Sequence, residues 1–287
     1  MNPPTAPDDC APRCGGRVGR VLARFVSVGL VTSLLAVVSA CASGPVTGQN
    51  GGATPEGPAT SLTGEVKGVS LTTGQASKLA RILFNNHTVG GAEVRADVDF
   101  GPAATFHLDG VVDWTNSIGR VVLTTKRRDA VAVPPQTIAW GGSSVYLSVP
   151  GLTEALASRG HPGILYLQRP VSVKTNPLDQ VITLIASFSS ARTENPLLLR
   201  QGDTSFEGTA MVGGHDVEKL RFGRSTYSVA DDGFAYRIDT TFVSVQGPIV
   251  VTFDRHGAQS VEPIDPSKVL PLDGYTALYD SLVSRSL

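Results

Sequence analysis

The chain has 287 residues, 41% of them apolar, 17% charged and 6% aromatic, and its 24 basic and 25 acidic side chains leave a formal charge of -1. That composition excludes a collagen-like chain, a disordered tail and a multi-span membrane protein. It also argues against nucleic acid as a partner, because phosphate affinity needs a surplus of Lys and Arg that this chain lacks.

The first forty residues read as an export signal. Arg13, Arg17, Arg20 and Arg24 precede an apolar run from Phe25 to Val38, and the small residues Ser39 and Ala40 lead to Cys41. Cations stay on the cytoplasmic side while the short apolar stretch enters the translocon. At about fourteen residues the run falls short of the ~20 that a transmembrane helix needs, so cleavage is expected. Val38-Ser-Ala-Cys41 resembles the bacterial lipobox. The resemblance implies diacylglyceryl transfer to the Cys41 thiol, cleavage just before it, and an exported protein anchored by lipid to the outer face of the cell membrane. An ordinary signal with an incidental cysteine is the plainer alternative. The 24 residues ahead of the apolar run are long for a signal, which leaves a start further in than Met1 open. Cys10 and Cys14 fall on the discarded side, so no intramolecular disulfide is expected, and their spacing lacks the second ligand pair of a metal site. Removing residues 1–40 leaves 20 basic and 23 acidic side chains, a charge of about -3.

Residues 41–61, rich in Gly, Pro, Ser and Thr, read as a flexible tether, and residues 62–287 as a single domain. The domain opens with Thr72-Thr-Gly-Gln75, a capping box, ahead of Ala76, Leu79, Ala80 and Leu83 at helical spacing, which predicts a helix to about Asn86. From Ala92 to Phe100 the period is two, with Val94, Ala96, Val98 and Phe100 inward and Glu93, Arg95, Asp97 and Asp99 outward. From Ala104 to Trp114 the pattern repeats, with Phe106, Leu108, Val112 and Trp114 inward and His107, Asp109 and Asp113 outward. Strands are predicted at Ile118 to Lys126, Thr137 to Trp140 and Ser144 to Val149, the last two joined by a tight turn at Gly141-Gly142. A short helix from Gly151 to Arg159 follows. A better one is capped by Asn176, carries Pro177 in its first turn and buries Leu178, Val181, Ile182, Ile185 and Phe188. Asn195-Pro196 closes that segment. Strands resume at Thr204 to Val212, Asp216 to Phe222, Thr226 to Ala230, Phe234 to Phe242, Pro248 to Asp254 and Ser260 to Ile264. Hairpins are signalled at Gly213-Gly214, Asp232-Gly233 and His256-Gly257.

The fold class is α+β, a curved antiparallel sheet forming a half-barrel with helices on its concave face. The layout resembles the mycobacterial cell-envelope lipoproteins of the LppX/LprG type, whose half-barrel is similar to the LolA/LolB lipoprotein carriers. The resemblance rests on Cys41, the opening helix and the meander, and on four stretches. These are Trp140 to Leu147, Asn176 to Phe188, Phe206 to Val217 and Gly247 to Gly257. A longer spacing between the 176 helix and Phe206, and an extension from Asp265 to Leu287, depart from it. It implies binding of an acylated lipid or glycolipid in an apolar cavity, carriage across the envelope, and an envelope transporter as a further partner. The cavity lining expected is Val98, Phe100, Phe106, Leu108, Val112, Trp114, Ile182, Ile185, Phe234, Tyr236 and Ile238. The same alternation also describes a dry core, and the alternative function is a lipid-free adaptor tethered to the membrane.

No reaction is expected. The chain lacks a Gly-x-Ser-x-Gly elbow, a His-Glu-x-x-His pair and a phosphate loop, and no cofactor or metal is implied. His87, His107, His161, His215 and His256 read as surface or turn histidines. Asp97 with Asp99 and Asp109 with Asp113 read as solvated strand charges, and Asp231-Asp232-Gly233 as turn chemistry.

Overall fold

The computed structural model describes residues 68–101, 104–129, 132–243, 245 and 247–284. The export signal, Cys41 and the tether lie outside the described residues. Helix α1, Thr73–Val89, begins where the sequence places it. The Thr72 hydroxyl accepts the Gln75 N–H while the Gln75 side chain accepts the Thr72 N–H, a reciprocal cap worth about 1 kcal/mol. It ends at Gly90, whose φ of 92° only a residue without a side chain adopts freely.

Twelve strands follow in one open sheet. The first meander is β1 (Gly91–Asp99), β2 (Ala104–Asp113), β3 (Ile118–Arg127), β4 (Gln136–Gly141) and β5 (Ser144–Ser148), then helix α2 (Leu152–Ala157) and β6 (Tyr166–Pro170). Helices α3 (Pro177–Ala186) and α4 (Pro196–Gln201) intervene. The second meander is β7 (Thr204–Val212), β8 (His215–Phe222), β9 (Ser225–Ala230), β10 (Ala235–Thr240) and β11 (Ile249–Asp254). The chain closes with β12 (Val269–Pro271) and α5 (Thr276–Ser284). The order across the sheet is β12-β6-β5-β4-β3-β2-β1-β11-β10-β9-β8-β7, so β1 against β11 joins the two meanders. Every pairing is antiparallel except that of β12 with β6. The described residues thus form a curved, unclosed α+β half-barrel with helices on its concave face.

Four expectations are corrected. Asn195-Pro196 does not end a segment but starts α4, with Asn195 accepting the Leu197 N–H as Asn176 accepts that of Leu178 in α3. Residues 260–264 form no strand; the Glu262 carbonyl instead accepts a bond from Arg120 on β3. His256-Gly257 is not a hairpin, because the Gly257 N–H donates to Gly91 O and carries the chain on beside β1. Asp113 is buried, where it accepts the Asn116 N–H in the turn after β2.

The wet face follows the pattern of the sequence. Arg95 bridges Asp109 and Asp254, Arg255 pairs with Glu93, and His107 with Asp97. The opposite face carries the core, where Val94, Ala96, Val98, Leu108, Val251 and Phe253 meet Ala76, Leu79 and Ile82 of α1 and Val181, Ile182 and Ile185 of α3. Burying side chains of this size stabilises by about 1.5–3 kcal/mol each. Helix α3 is tied to β6 by Arg169, which donates from both terminal nitrogens to Asp179 at 2.6 Å. A second cluster, Leu152, Leu156, Leu167 and Leu278, seats α2 and α5. All these clusters lie inside Thr63–Leu287, which forms a compact unit by itself.

Candidate functional site

The space between helices and sheet is closed where α3 crosses it. The Trp114 indole N–H donates to Ile185 O at 3.0 Å. Phe188 stacks on Phe253 at 5.0 Å and on Tyr227 at 6.0 Å between ring centroids. Of the expected lining, Val98, Leu108, Val112, Trp114, Ile182, Ile185 and Ile238 are buried in one hydrophobic core cluster. They are brought together, but as core.

Phe234 and Tyr236 are not on that face at all. The register of β10 against β9 shifts between Ala235 and Arg237, a bulge that inserts Tyr236 as an extra residue. Tyr236 therefore joins Val217, Ala230, Val212 and Phe234 on the opposite side of the sheet. Its hydroxyl donates to Asp232 at 2.7 Å, and its ring stacks on His215 at 3.8 Å. His256 lies half-buried against the Phe234 ring, away from the open surface expected for it. Burial pulls its pKa below 6.5, against the pull of the Asp232 and Asp254 carboxylates. Asp232 does accept the Phe234 N–H, which is the turn chemistry read from Asp231-Asp232-Gly233.

The remaining two expected residues lead to an opening. Phe100 and Phe106 are partly buried against the core with ring centroids 4.5 Å apart. Phe106 lines a groove of about 540 Å³ with Ala104, Thr125, Arg127, Asp129, Val133, Gln136 and Val283. Strand register explains half of this lining, because Ala104 faces Arg127 and Phe106 faces Thr125 across β2 and β3. Val133 comes from the β3–β4 connection and Val283 from α5, and no sequence pattern connects them to β2. The volume falls in the ~300–1,000 Å³ range of small-molecule sites.

The groove divides by polarity. Ala104, Phe106, Val133 and Val283 give an apolar floor. On the rim, Arg127 donates to Asp129 from Nε at 3.0 Å and from Nη2 at 2.6 Å, which fixes the guanidinium and holds its pKa above the usual value. Gln136 accepts the Tyr279 O–H at 2.5 Å, and burial keeps that phenol protonated. Such an arrangement can hold the apolar part of an amphiphile against Phe106 and its polar part near Arg127. Among the described residues no cluster of His, Cys, Asp and Glu is placed to hold a metal.

No protein-family model matches the chain, and no curated protein matches it. Among solved structures it is similar to an uncharacterized conserved protein from Thermus thermophilus, at 11% identity and a TM-score of 0.33, over 68% of this chain and 96% of that one. It is also similar to a LolA superfamily protein from Nitrosomonas europaea, at 11% identity and a TM-score of 0.26, over 67% of this chain and 96% of that one. At this degree of overlap neither likeness carries an argument, and the half-barrel stands on the strand pairings of this chain.

Proposed function

We propose that the protein is an exported lipoprotein, anchored to the outer face of the cell membrane through acylated Cys41, that binds the acyl part of a lipid or glycolipid in the groove beside Phe106 and carries it within the cell envelope. The groove is the observation that supports this reading, because it joins an apolar floor to the Arg127 guanidinium where β2 begins and β3 ends. An acyl chain of ~16 carbons costs of order 12 kcal/mol to hold in water, at ~0.8 kcal/mol per methylene. Passage between membranes therefore needs shelter, and residues 41–61 serve as the tether that lets the body face the bilayer. The function is binding, with no chemical step, and an envelope transporter is a fitting partner. The departures at the C-terminus bear on this directly, since Val283 belongs to the extension that the resemblance to LppX/LprG-type lipoproteins does not cover.

The test uses residues 42–287, which contain the compact unit but not Cys41, so any lipid recovered belongs to the body and not to the anchor. Mild purification from a bacterial host followed by mass spectrometry is expected to recover acyl lipid from this protein. Far less is expected from Phe106→Asp and from Val283→Trp, the second of which fills the groove without burying a charge. An extract free of lipid, or equal lipid from all three, refutes the reading. A lipid-free adaptor is the second reading, favoured by the closed packing of Trp114, Ile182 and Ile185 beneath α3.

A further inference from the structure

Large apolar side chains are exposed at one edge of the sheet. Leu197 is 62% exposed and Leu198 64%, side by side on α4, while Val69 is 70% exposed and Phe222 also stands in solvent. These residues come from three segments that hydrogen bonds hold together around β7. The Phe206 N–H donates to Val69 O, which lays residue 69 along β7. Arg200 of α4 donates to Leu71 O and Thr73 Oγ1, and the Thr204 hydroxyl of β7 donates to Leu199 O. Phe222 of β8 pairs with Thr204, and the next residue, Gly223, donates its N–H to Asp203 O. Leu199 turns inward against the core, so Leu197 and Leu198 are the residues that α4 offers outward. Exposed charges of both signs lie on and beside these segments, Arg192, Arg200 and Arg224 together with Glu194 and Asp203, so that cations are in excess by one.

We infer that this edge, formed by Val69, Leu197, Leu198 and Phe222 with the three arginines, is a docking surface for an anionic lipid bilayer. The choice of occupant comes from where the chain enters the fold. The described residues begin at Gly68, beside Val69, and Cys41 lies 27 positions upstream of Gly68. The inference rests on the reading of Cys41 as the anchor, which makes this edge the part of the body nearest the membrane along the chain. Apolar side chains flanked by guanidinium groups suit the boundary between acyl chains and anionic headgroups, where the leucines insert and the arginines meet phosphate. Groove and docking edge are separate features, because β2 and β7 stand six strand spacings apart, roughly 30 Å along the sheet.

The test is flotation of residues 42–287 with vesicles of phosphatidylglycerol and phosphatidylethanolamine. The protein is expected to float, and Leu197→Ser/Leu198→Ser to weaken its partition about tenfold. Val243→Ser, at an exposed position outside this edge, is expected to leave partition unchanged. Failure of the unsubstituted protein to float, or equal flotation of the double variant, overturns the inference. So does sedimentation as a dimer that the double variant converts to monomer, since a second copy would then cover the edge. Acylation of Cys41 is read separately, from the mass of the amino-terminal peptide of the exported full chain. Groove binding is read from lipid co-extraction, so failure of either reading is distinguishable from failure of this one.

Discussion

Asp179 offers the sharpest test of how the helical cover is held. It is fully buried, and its carboxylate accepts from Arg169 Nη1 and Nη2 and from the Ser172 N–H, all at 2.6 Å, while Arg169 is 15% exposed. Asp179→Ala leaves a guanidinium largely out of water without its counter-charge and a backbone donor without its acceptor. Removing one partner of a buried pair costs about 3–5 kcal/mol. For a domain of this size each kcal/mol moves Tm by about 2–4 °C, so a fall of about 6–20 °C is expected. Urea unfolding of residues 42–287, followed by the fluorescence of Trp114 and Trp140, measures the loss. The double variant Arg169→Met/Asp179→Leu removes both charges and keeps volume, so it is expected to recover most of the stability. A loss below about 1 kcal/mol for Asp179→Ala, or a double variant as unstable as the single one, refutes the claim that this pair seats α3 on β6.

Two further changes probe other parts of the packing. A Cβ added at Gly119 lies 2.0 Å from Trp140 Cζ2, so Gly119→Ala forces the indole to move and is expected to cost about 1–3 kcal/mol, with a shifted Trp emission; an unchanged emission and urea midpoint count against it. His256 has its pKa lowered in the folded state, chiefly by burial. The unfolded chain therefore binds more protons between the folded value and about 6.5, and stability falls as pH drops through that window. His256→Phe is expected to flatten that part of the pH dependence of the urea midpoint, and an unaltered slope would show that the ring does not carry it.

How far the sequence discloses this molecule depends on which physical signal each residue leaves. Strict alternation from Val94 to Phe100 gives strand and face together, and the structure places Val94, Ala96 and Val98 in the core. The same rule fails from Phe234 to Ile238, because one inserted residue reverses the parity and nothing in the composition marks the bulge. Asn176-Pro177 and Asn195-Pro196 are chemically the same helix start, yet the second introduces only the six residues of α4, too few to show a period. Alternation also cannot separate a filled interior from a hollow one. It reports that Ile182, Ile185 and Trp114 leave water, and whether they then meet each other is decided by helix placement. Groove residue Val133 belongs to no periodic stretch, while Val283 closes the helically spaced run Tyr275, Leu278, Tyr279, Leu282 and Val283, a spacing that marks a helix but not its meeting with Val133, 150 positions away.

Helix placement also accounts for where the groove lies. Helix α3 is fixed at one end by its Asp179, bonded to Arg169 of β6, and near its other end the Ile185 carbonyl is held by Trp114, just past the end of β2. Ala104 begins β2, ten residues earlier, so roughly 30 Å of strand separates that contact from the groove. A ten-residue helix is only ~15 Å long and cannot shelter both ends of such a strand. Cover at the far end falls to α5, which reaches it by Tyr279 bonding to Gln136 and by the side chain of Val283. The groove is what this division leaves unfilled. Its size is therefore set by the short terminal helix, while α1 and α3 together close the core elsewhere.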